Sequence, residues 1–133
     1  MLTDPVETTA LLVIAHGSRS EEANADTRFL ARELQACGVF RWAVASFLEL
    51  AEPDIDGGAA ECVRLGARRI IMLPHFLAPG LHVRRDLAAA RDRLANQHPQ
   101  VEVILAEPIG RHPLMLQILL DRARTVIPNI EMR

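Results

Sequence analysis

Four short runs of hydrophobic residues recur along the chain, and a segment with helical spacing follows each of them. The runs are rich in Val, Ile and Leu, and they cover residues 11–15, 43–48, 69–74 and 101–106. Nearly continuous runs of this length are typical of strands that are buried on both faces, as in a parallel sheet. The segments after the runs predict helices over residues 21–36, 54–65, 82–97 and 112–126.

Residue types at the ends of the predicted helices support these bounds. Gly38 and Gly66 follow the first and second helices as stop signals, and Pro113 falls in the first turn of the fourth helix, which Pro128 closes. Two of the helices also carry an apolar stripe that is expected to face the core. The stripe comprises Ala23, Phe29, Leu30 and Leu34 in the first helix, and Val83, Leu87, Ala90 and Leu94 in the third.

The alternation of strands and helices predicts the fold class. A βαβαβαβα order indicates an α/β fold of three layers, with a four-stranded, mainly parallel sheet and helices on both faces. The strand order is expected to be flavodoxin-like, so that it reverses between the first and third strands. We expect a single domain over residues 1–133, with its core at about residues 10–127. In the second helix, Gly57 and Gly58 indicate either a close approach of another part of the chain or a frayed turn.

Composition narrows the class of protein. Half of the residues are hydrophobic and 24% are charged, as in ordinary soluble proteins, and a formal net charge of −2 argues against nucleic acid as a partner. No apolar run reaches the length of about 18 residues that a membrane span needs, so no membrane partner is expected. The N-terminus lacks the pattern of a signal peptide, and Cys37 and Cys62 are predicted to be small buried residues. These features predict a cytoplasmic protein.

Polar residues with metal-binding side chains follow three of the predicted strands. His16 comes directly after the first strand, Glu49 after the second, and a loop of residues 75–82 that ends in His82 follows the third. Parallel sheets bind ligands at the carboxyl ends of their strands, near the point where strand order reverses. Two imidazoles and a carboxylate suit divalent transition metals, and a site with open positions suits a metal in transit.

Other interpretations of these residues remain open at this point. A histidine at a strand end is often a hydrogen-bonded structural residue, and His75 can point either into the cavity or away from it. His98 is expected to be solvated, and His112 to begin a helix. The stretch Gly17, Ser18 and Arg19 also suits an anion cradle at a helix N-terminus, although the GxGxxG and GxxxxGK[ST] motifs are both absent.

Three motifs in combination resemble a known family. HGSR after the first strand, FLELAEP after the second and P-x-F-L-x-x-G-x-H-x-x-x-D after the third are similar to motifs of the sirohydrochlorin chelatases. These are class II chelatases of the cobalamin and siroheme pathways, and the chain is most similar to their short, single-domain CbiX or SirB type. The resemblance extends over about residues 10–125, nearly the whole chain.

The resemblance implies an activity and a set of site residues. It implies a lyase-type chelatase that inserts Co²⁺, or alternatively Fe²⁺ or Ni²⁺, into the tetrapyrrole sirohydrochlorin, with the metal as a substrate and no permanently bound cofactor. In such an enzyme His16 and His82 bind the incoming metal and assist its insertion, and Glu49 supports them. Short members of the family work as homodimers, so a homodimer is expected. His75 departs from the family pattern and could add a ligand.

The residues around these ligands are expected to bind the tetrapyrrole. Its faces suit apolar contacts and its peripheral carboxylates suit cations. The predicted substrate-binding residues are Gly17, Ser18, Arg19, Phe76, Leu77, Gly80, Arg84 and Arg85. For the arginines, a solvated helix face is the alternative. A carrier that binds metal or tetrapyrrole without turnover, and a flavodoxin-like domain that binds a phosphate ligand, are the alternative functions.

Overall fold

The computed structural model describes residues 6–127, in which strands and helices alternate as the hydrophobic pattern predicts. The elements are β1 (Thr9–Ala15), α1 (Glu21–Ala36), β2 (Trp42–Phe47), α2 (Ile55–Leu65), β3 (Arg69–Pro74), α3 (Leu81–Gln97), β4 (Glu102–Leu105) and α4 (Leu114–Val126). Most predicted bounds agree with these to within two residues. Pro128, which was expected to close the last helix, lies outside the described residues.

The four strands form one parallel sheet in the order β2-β1-β3-β4. The register places Ile14 of β1 opposite Ser46 of β2 on one side and opposite Pro74 of β3 on the other. The carboxyl ends of these three strands therefore lie side by side at one edge of the sheet, which we call the carboxyl edge. The predicted α/β fold with its flavodoxin-like strand order is confirmed, and the order reverses between β1 and β3.

Helices α2 and α3 cover one face of the sheet and form the main core with it. Leu12, Met72 and Leu94 are fully buried there. A Cβ atom on Gly58 would lie 2.8 Å from Leu12 Cδ1 and 2.9 Å from the Cβ of Ser46, so glycine lets α2 approach the sheet this closely. The stripe predicted for the third helix is confirmed, because Leu87, Ala90 and Leu94 are buried and Val83 is partly buried.

Helix α1 covers the other face of the sheet over β1 and β2, and it does so with a different set of residues than the pattern predicts. Its buried residues are Asn24, Thr27 and Ala31, whereas Phe29 is 56% exposed. The predicted stripe is therefore wrong at Ala23 and Phe29, which are exposed, whereas Leu30 and Leu34 are partly buried. The reason is that polar Asn24 is turned inward to satisfy the backbone of the preceding loop, which shifts the buried face away from Phe29.

Helix α4 differs from the other three helices in its packing. None of its residues is buried, and within residues 6–127 it has no extensive contact with any strand or helix. None of the described helices combines the length and apolar character that a membrane crossing requires.

The two cysteines lie in different surroundings. Cys62 in α2 is buried, as predicted, and burial raises the pKa of its thiol to about 12. Cys37, at the end of α1, is exposed, so the prediction of a buried residue is wrong there. Cys37 is the C-cap residue of α1, and it lies in an exposed stretch that continues through the turn at Gly38.

Candidate functional site

Backbone hydrogen bonds extend the pairing of β1 and β2 past the ends of the strands. The N–H of Leu48 donates to the carbonyl oxygen of Ala15 at 3.0 Å, and the N–H of Glu49 donates to that of His16 at 3.1 Å. His16 and Glu49 are thereby neighbours at the carboxyl edge, as their positions in the sequence predict. We call residues 15–20 and 47–54 together the first seam.

Gly17 fits the first seam because it has no side chain. Its φ angle is +95°, and a Cβ atom built on it would lie 1.7 Å from the carbonyl oxygen of Glu49. Any other residue would push the two loops apart and would be strained in this conformation. Gly17 was predicted as a substrate-binding residue. The structure adds that it brings His16 and Glu49 together.

The side chains of His16 and Glu49 form a hydrogen bond. Nε2–H of His16 donates to Oε1 of Glu49 at 3.1 Å, and both side chains are more than half exposed, at 59% and 58%. In this arrangement the other ring nitrogen of His16, Nδ1, keeps its lone pair for a metal ion or a proton. A histidine that donates one N–H to a carboxylate while its second nitrogen binds a metal is a common arrangement in metal sites.

The loop between β1 and α1 is held by Asn24, a residue that the motif analysis missed. The N–H of Ser18 donates to Asn24 Oδ1 at 3.0 Å, and Asn24 Nδ2 donates back to the Ser18 carbonyl at 2.7 Å. Ser18 Oγ in turn accepts from the N–H of Ser20 at 3.0 Å. The N–H groups of Ser18 and Ser20 are thus satisfied by side chains and are not free to bind an anion, although the N-cap residue Ser20 makes no side-chain cap on α1. The arrangement argues against the phosphate-binding alternative.

Arg28 supports the other side of the first seam and was also missed. Its guanidinium lies 5.4 Å from the ring centroid of the buried Phe47, and it donates to the carbonyl oxygen of Glu52 at 3.3 Å. It also pairs with Glu21. These contacts join α1 to the end of β2 and to the loop that carries Glu49. The sequence gives no signal for this role, because Phe47 and Glu52 lie far from Arg28 along the chain.

A cavity of about 420 Å³ opens beside the His16–Glu49 pair. It lies between the first seam and helices α2 and α3, and its lining comprises His16, Leu48, Glu49, Asp54, Ile55, Asp56, Val83, Asp86, Ala89, Ala90 and Arg93. Asp56 and Arg93 form a salt bridge across the cavity at 2.7 Å, and the hydrogen bond from Arg93 holds the pKa of Asp56 below its usual value. With one acid neutralised in this way, the remaining carboxylates favour a cation in the cavity.

Residues 75–82, which comprise the loop after β3 and the first two residues of α3, form what we call the second seam. The N–H of His75 continues the sheet by donating to the Ile14 carbonyl at 2.7 Å, and its side chain is exposed. The Phe76 ring stands edge-on to the His16 ring, with centroids 6.4 Å apart and planes at 83°. Leu77 is 61% exposed, and no atom lies within 4 Å of where a Cβ of Gly80 would be. The seam therefore contacts His16 through Phe76 and is open beyond it.

His82 lies in the first turn of α3 and is exposed. Within residues 6–127, no three side chains of His, Cys, Asp or Glu lie close enough together to hold one metal ion. The structure thus joins His16 to Glu49 but does not bring His82 into the same cluster. That all three residues hold one ion stays a prediction.

The arginines that were predicted to bind substrate carboxylates are exposed. Arg19 lies within the first seam, and Arg84 and Arg85 lie in the early turns of α3. Arg84 lies 4.0 Å from Glu107, and together with Arg91 it lines a second cavity of about 170 Å³ on the far side of α3. Arg84 therefore has an acidic neighbour that a bound carboxylate would have to displace or avoid.

Comparison with known proteins identifies related chains. A family model described as CbiX matches residues 10–126. The sirohydrochlorin cobaltochelatase of Priestia megaterium is 34% identical over 122 residues, which cover 92% of this chain and 40% of that protein. The sirohydrochlorin cobaltochelatase of Sulfolobus acidocaldarius is 32% identical over 117 residues, which cover 88% of this chain and 91% of that protein.

A solved structure gives the same relationship in three dimensions. The sirohydrochlorin chelatase SirB from Bacillus subtilis subspecies spizizenii, in complex with cobalt, superposes with a TM-score of 0.82 at 28% sequence identity. The match covers 90% of this chain and 51% of that chain. This chain therefore spans about half the length or less of some relatives and nearly the full length of others.

Proposed function

The chain belongs to the CbiX family, and from this premise we propose that it inserts a divalent metal ion into the tetrapyrrole sirohydrochlorin. Co²⁺ is the metal we propose first, with Fe²⁺ and Ni²⁺ as the alternatives, because all three accept histidine nitrogen. We also propose that the protein is cytoplasmic, that it forms a homodimer and that it serves cobalamin or siroheme biosynthesis.

The observation that carries the proposal is the His16–Glu49 hydrogen bond at the mouth of the cavity. The bond fixes the His16 ring with one nitrogen on a carboxylate and the other free to bind. Both groups are exposed, so an incoming ion and a flat macrocycle can reach them from outside. A ligand that is held firmly but only partly enclosed suits an ion that must be released again, because further coordination positions stay open.

Insertion exchanges two protons for one metal ion. The macrocycle loses the protons of two pyrrole nitrogens, and its four nitrogens replace water and protein ligands around the ion one at a time. We assign metal binding to His16 and His82, and proton acceptance to these imidazoles and to Glu49, because imidazoles and carboxylates are the side chains that most often accept protons in catalysis. Glu49 then acts mainly by orienting His16, and it binds the ion directly only if the Nε2 bond opens.

The exposed part of the second seam suits the macrocycle itself. Phe76 already stands against His16, and Leu77 offers an apolar surface beside it. The cavity interior is acidic and disfavours the eight carboxylates of the substrate, so we place these outside it, towards Arg19 and Arg85. The ion would thus reach His16 from the cavity, and the tetrapyrrole would reach it from the side of the second seam.

The test is the steady-state rate of Co²⁺ insertion into sirohydrochlorin, followed by the change in the visible spectrum of the macrocycle. We expect the double variant His16→Ala/His82→Ala to lower this rate by a factor of about 100 or more, since it removes both proposed ligands. The matched control is His98→Ala, which removes a partly buried histidine at the C-cap of α3, outside the cavity lining. We expect the control to keep the full rate.

Several outcomes would contradict the proposal. An unchanged rate in the double variant would remove the two histidines from the mechanism. Stoichiometric binding of metal and tetrapyrrole without multiple turnover would favour a carrier, and tight binding of flavin or nucleotide without any response to metals would favour a phosphate-ligand domain. Parallel anaerobic assays with Fe²⁺ and Ni²⁺ test the choice of metal, and a higher kcat/KM with either ion would replace Co²⁺.

A further inference from the structure

The third sequence motif ends in Asp86, a residue to which the proposed reaction assigns no role. Asp86 lies in the second turn of α3, four residues after His82, and both side chains are exposed. Asp86 also lines the large cavity beside the His16–Glu49 pair. It therefore lies between one proposed ligand, on its own helix, and the other proposed ligand, across the cavity.

The residues of α3 that line the cavity occupy one side of the helix. They are Val83, Asp86, Ala89, Ala90 and Arg93. At about 100° per residue, these five positions fall within a sector of about 120° around the helix axis, and His82 falls within the same sector. The helix therefore turns His82 to the cavity side, one turn nearer to the second seam than Asp86.

The spacing of His82 and Asp86 makes their side chains neighbours. Residues four apart on a helix have about 5–6 Å between their Cβ atoms and interact along its surface. The other side chains at three or four positions from Asp86 belong to Val83, Ala89 and Ala90, and none of these has a polar atom. Within α3, His82 is therefore the one polar side chain that lies beside Asp86.

The charges around the cavity leave the Asp86 carboxylate available for His82. Arg93 lies two turns further along the same side of α3, and it is held by Asp56 of α2 at 2.7 Å. Asp54, which also lines the cavity, is itself acidic. Within residues 6–127, the Asp86 carboxylate makes no hydrogen bond or salt bridge. Because it and the His82 imidazole are both exposed, rotation of the two side chains brings them within hydrogen-bonding distance.

We propose that Asp86 is a positioning residue for His82. Its carboxylate accepts a hydrogen bond from one ring N–H of His82, which leaves the lone pair of the other ring nitrogen for the metal ion. A metal-binding histidine commonly donates its second nitrogen to a carboxylate, which fixes the tautomer and the direction of the ring. The pair repeats on α3 the arrangement that His16 and Glu49 form across the cavity.

The exposure of His82 explains why such a partner is needed. The N-cap of α3, Gly80, makes no side-chain cap, and Leu81 is 61% exposed, so the surroundings do not hold the first turn by packing. A neutral imidazole in water exchanges between two tautomers and several rotamers, and binding of the ion must select one of each. A carboxylate one turn away makes this selection without enclosing the ligand, so the ion stays free to leave.

This inference rests on the proposed function, because it takes His82 as a ligand, but its first test needs neither metal nor tetrapyrrole. Long-range ¹⁵N–¹H NMR spectra of the metal-free chain show which ring nitrogen of His82 carries the proton when the imidazole is neutral. We expect Asp86→Ala to shift the tautomer balance of His82 and Asp86→Glu to restore it. The matched control is Asp92→Ala, on the opposite side of the same helix, where the carboxylate contacts Arg91. An unchanged tautomer balance in Asp86→Ala would overturn the inference.

The second test is a double-mutant cycle on the affinity for Co²⁺, measured by calorimetry without tetrapyrrole. Asp86→Ala should weaken binding about tenfold, as the loss of a residue that orients a metal ligand commonly does. Asp86→Glu and Asp92→Ala should stay within about threefold of the original chain. In a chain that already carries His82→Ala, the change Asp86→Ala should cost less than about twofold, because the residue through which it acts is gone. An equal loss in both backgrounds would show that Asp86 attracts the ion by its charge alone, and it would overturn the inference.

The outcomes also distinguish this inference from the proposed function. If the original chain inserts Co²⁺ and Asp86→Ala changes neither the tautomer of His82 nor the affinity for Co²⁺, the positioning role alone is overturned. If Asp86→Ala shifts the tautomer and weakens Co²⁺ binding but the original chain inserts no metal, the pairing of Asp86 with His82 stands and the chelatase is contradicted. Circular dichroism of each variant should match that of the original chain, since Asp86 and Asp92 are both exposed.

Discussion

The two seams that carry the proposed ligands differ in how firmly the fold holds them. The first seam is held by three kinds of contact. These are the continued β1–β2 pairing, the fit of Gly17 against Glu49, and the side-chain contacts of Asn24 and Arg28. The second seam is bonded at its start by His75 and Phe76, and it is open from Leu77 to His82.

This difference suits a reaction in which an ion changes ligands. The proposed ligand His16 is preorganised by its hydrogen bond to Glu49, so it would keep the ion in a defined place with little reorganisation when the reaction begins. The second proposed ligand, His82, lies on the exposed first turn of α3, where in the proposed reaction it would be free to release the ion as the macrocycle nitrogens take over. A site with three fixed ligands would bind the ion more tightly but would release it more slowly.

The largest expected effect comes from disrupting the first seam at Gly17. Gly17→Ala should lower the free energy of unfolding by about 3 kcal/mol or more, because the new methyl group collides with the Glu49 carbonyl at a φ of +95°. Urea denaturation measures the change. The matched control is Gly80→Ala in the second seam, where space is open and φ is −72°. Its stability should stay within about 1 kcal/mol. Equal losses in the two variants would contradict the contrast between the seams.

A smaller effect is expected from Glu49→Gln, which keeps the size of the side chain and removes its charge. Because the carboxylate accepts the Nε2–H of His16, the variant should bind Co²⁺ about tenfold more weakly. Calorimetric titration with Co²⁺ and no tetrapyrrole measures this affinity. Glu52→Gln removes an equal charge from the same loop and should change the affinity less than about threefold. If the two variants bind Co²⁺ with the same affinity, orientation of His16 by Glu49 does not contribute to metal binding.

The smallest effect is expected where Asp56 and Arg93 join α2 to α3 across the cavity. Asp56→Asn should lower the free energy of unfolding at pH 7 by less than about 1 kcal/mol, because both partners are partly exposed. The folded-state pKa of Asp56 is lowered, so the pair stabilises the fold above the unfolded-state pKa near 3.8 and loses this effect as the pH falls through the folded-state pKa. Urea denaturation between pH 7 and pH 3 should show the difference from the original chain shrinking. Asp92→Asn, which affects only a neighbouring arginine, should show no such trend.

The sequence predicted the fold and one side of the site well, for physical reasons. Apolar runs that are buried on both faces indicate parallel strands. Because the carboxyl ends of such strands meet at one edge of the sheet, the sequence alone predicted that His16 and Glu49 are neighbours. Gly58 likewise proved to be a close approach rather than a frayed turn. These outcomes depend on the regular spacing of residues along strands and helices, which can be read directly from the sequence.

The predictions failed or stopped where interactions depend on tertiary contacts. Asn24 is buried by its bonds to the Ser18 backbone, which no hydrophobic pattern reveals, and so the stripe of α1 was misplaced. Arg28 acts through residues that are distant in the chain. The position of His82 relative to the first seam depends on the path of the loop of residues 77–80, and the exposure of α4 depends on how little the other described elements pack on it, so neither follows from local spacing.

The contrast between the two cysteines has a practical consequence. Cys62 is buried with a thiol pKa of about 12, so it should resist alkylating reagents at neutral pH, while the exposed Cys37 should react. The native chain then offers one site for a fluorophore, and a thiol count should rise from one to two on denaturation. Cys37 follows the 16 residues of α1, which place it about 24 Å from the carboxyl edge. A donor and an acceptor dye attached there would report the assembly of two copies by energy transfer while the metal-handling residues stay unmodified.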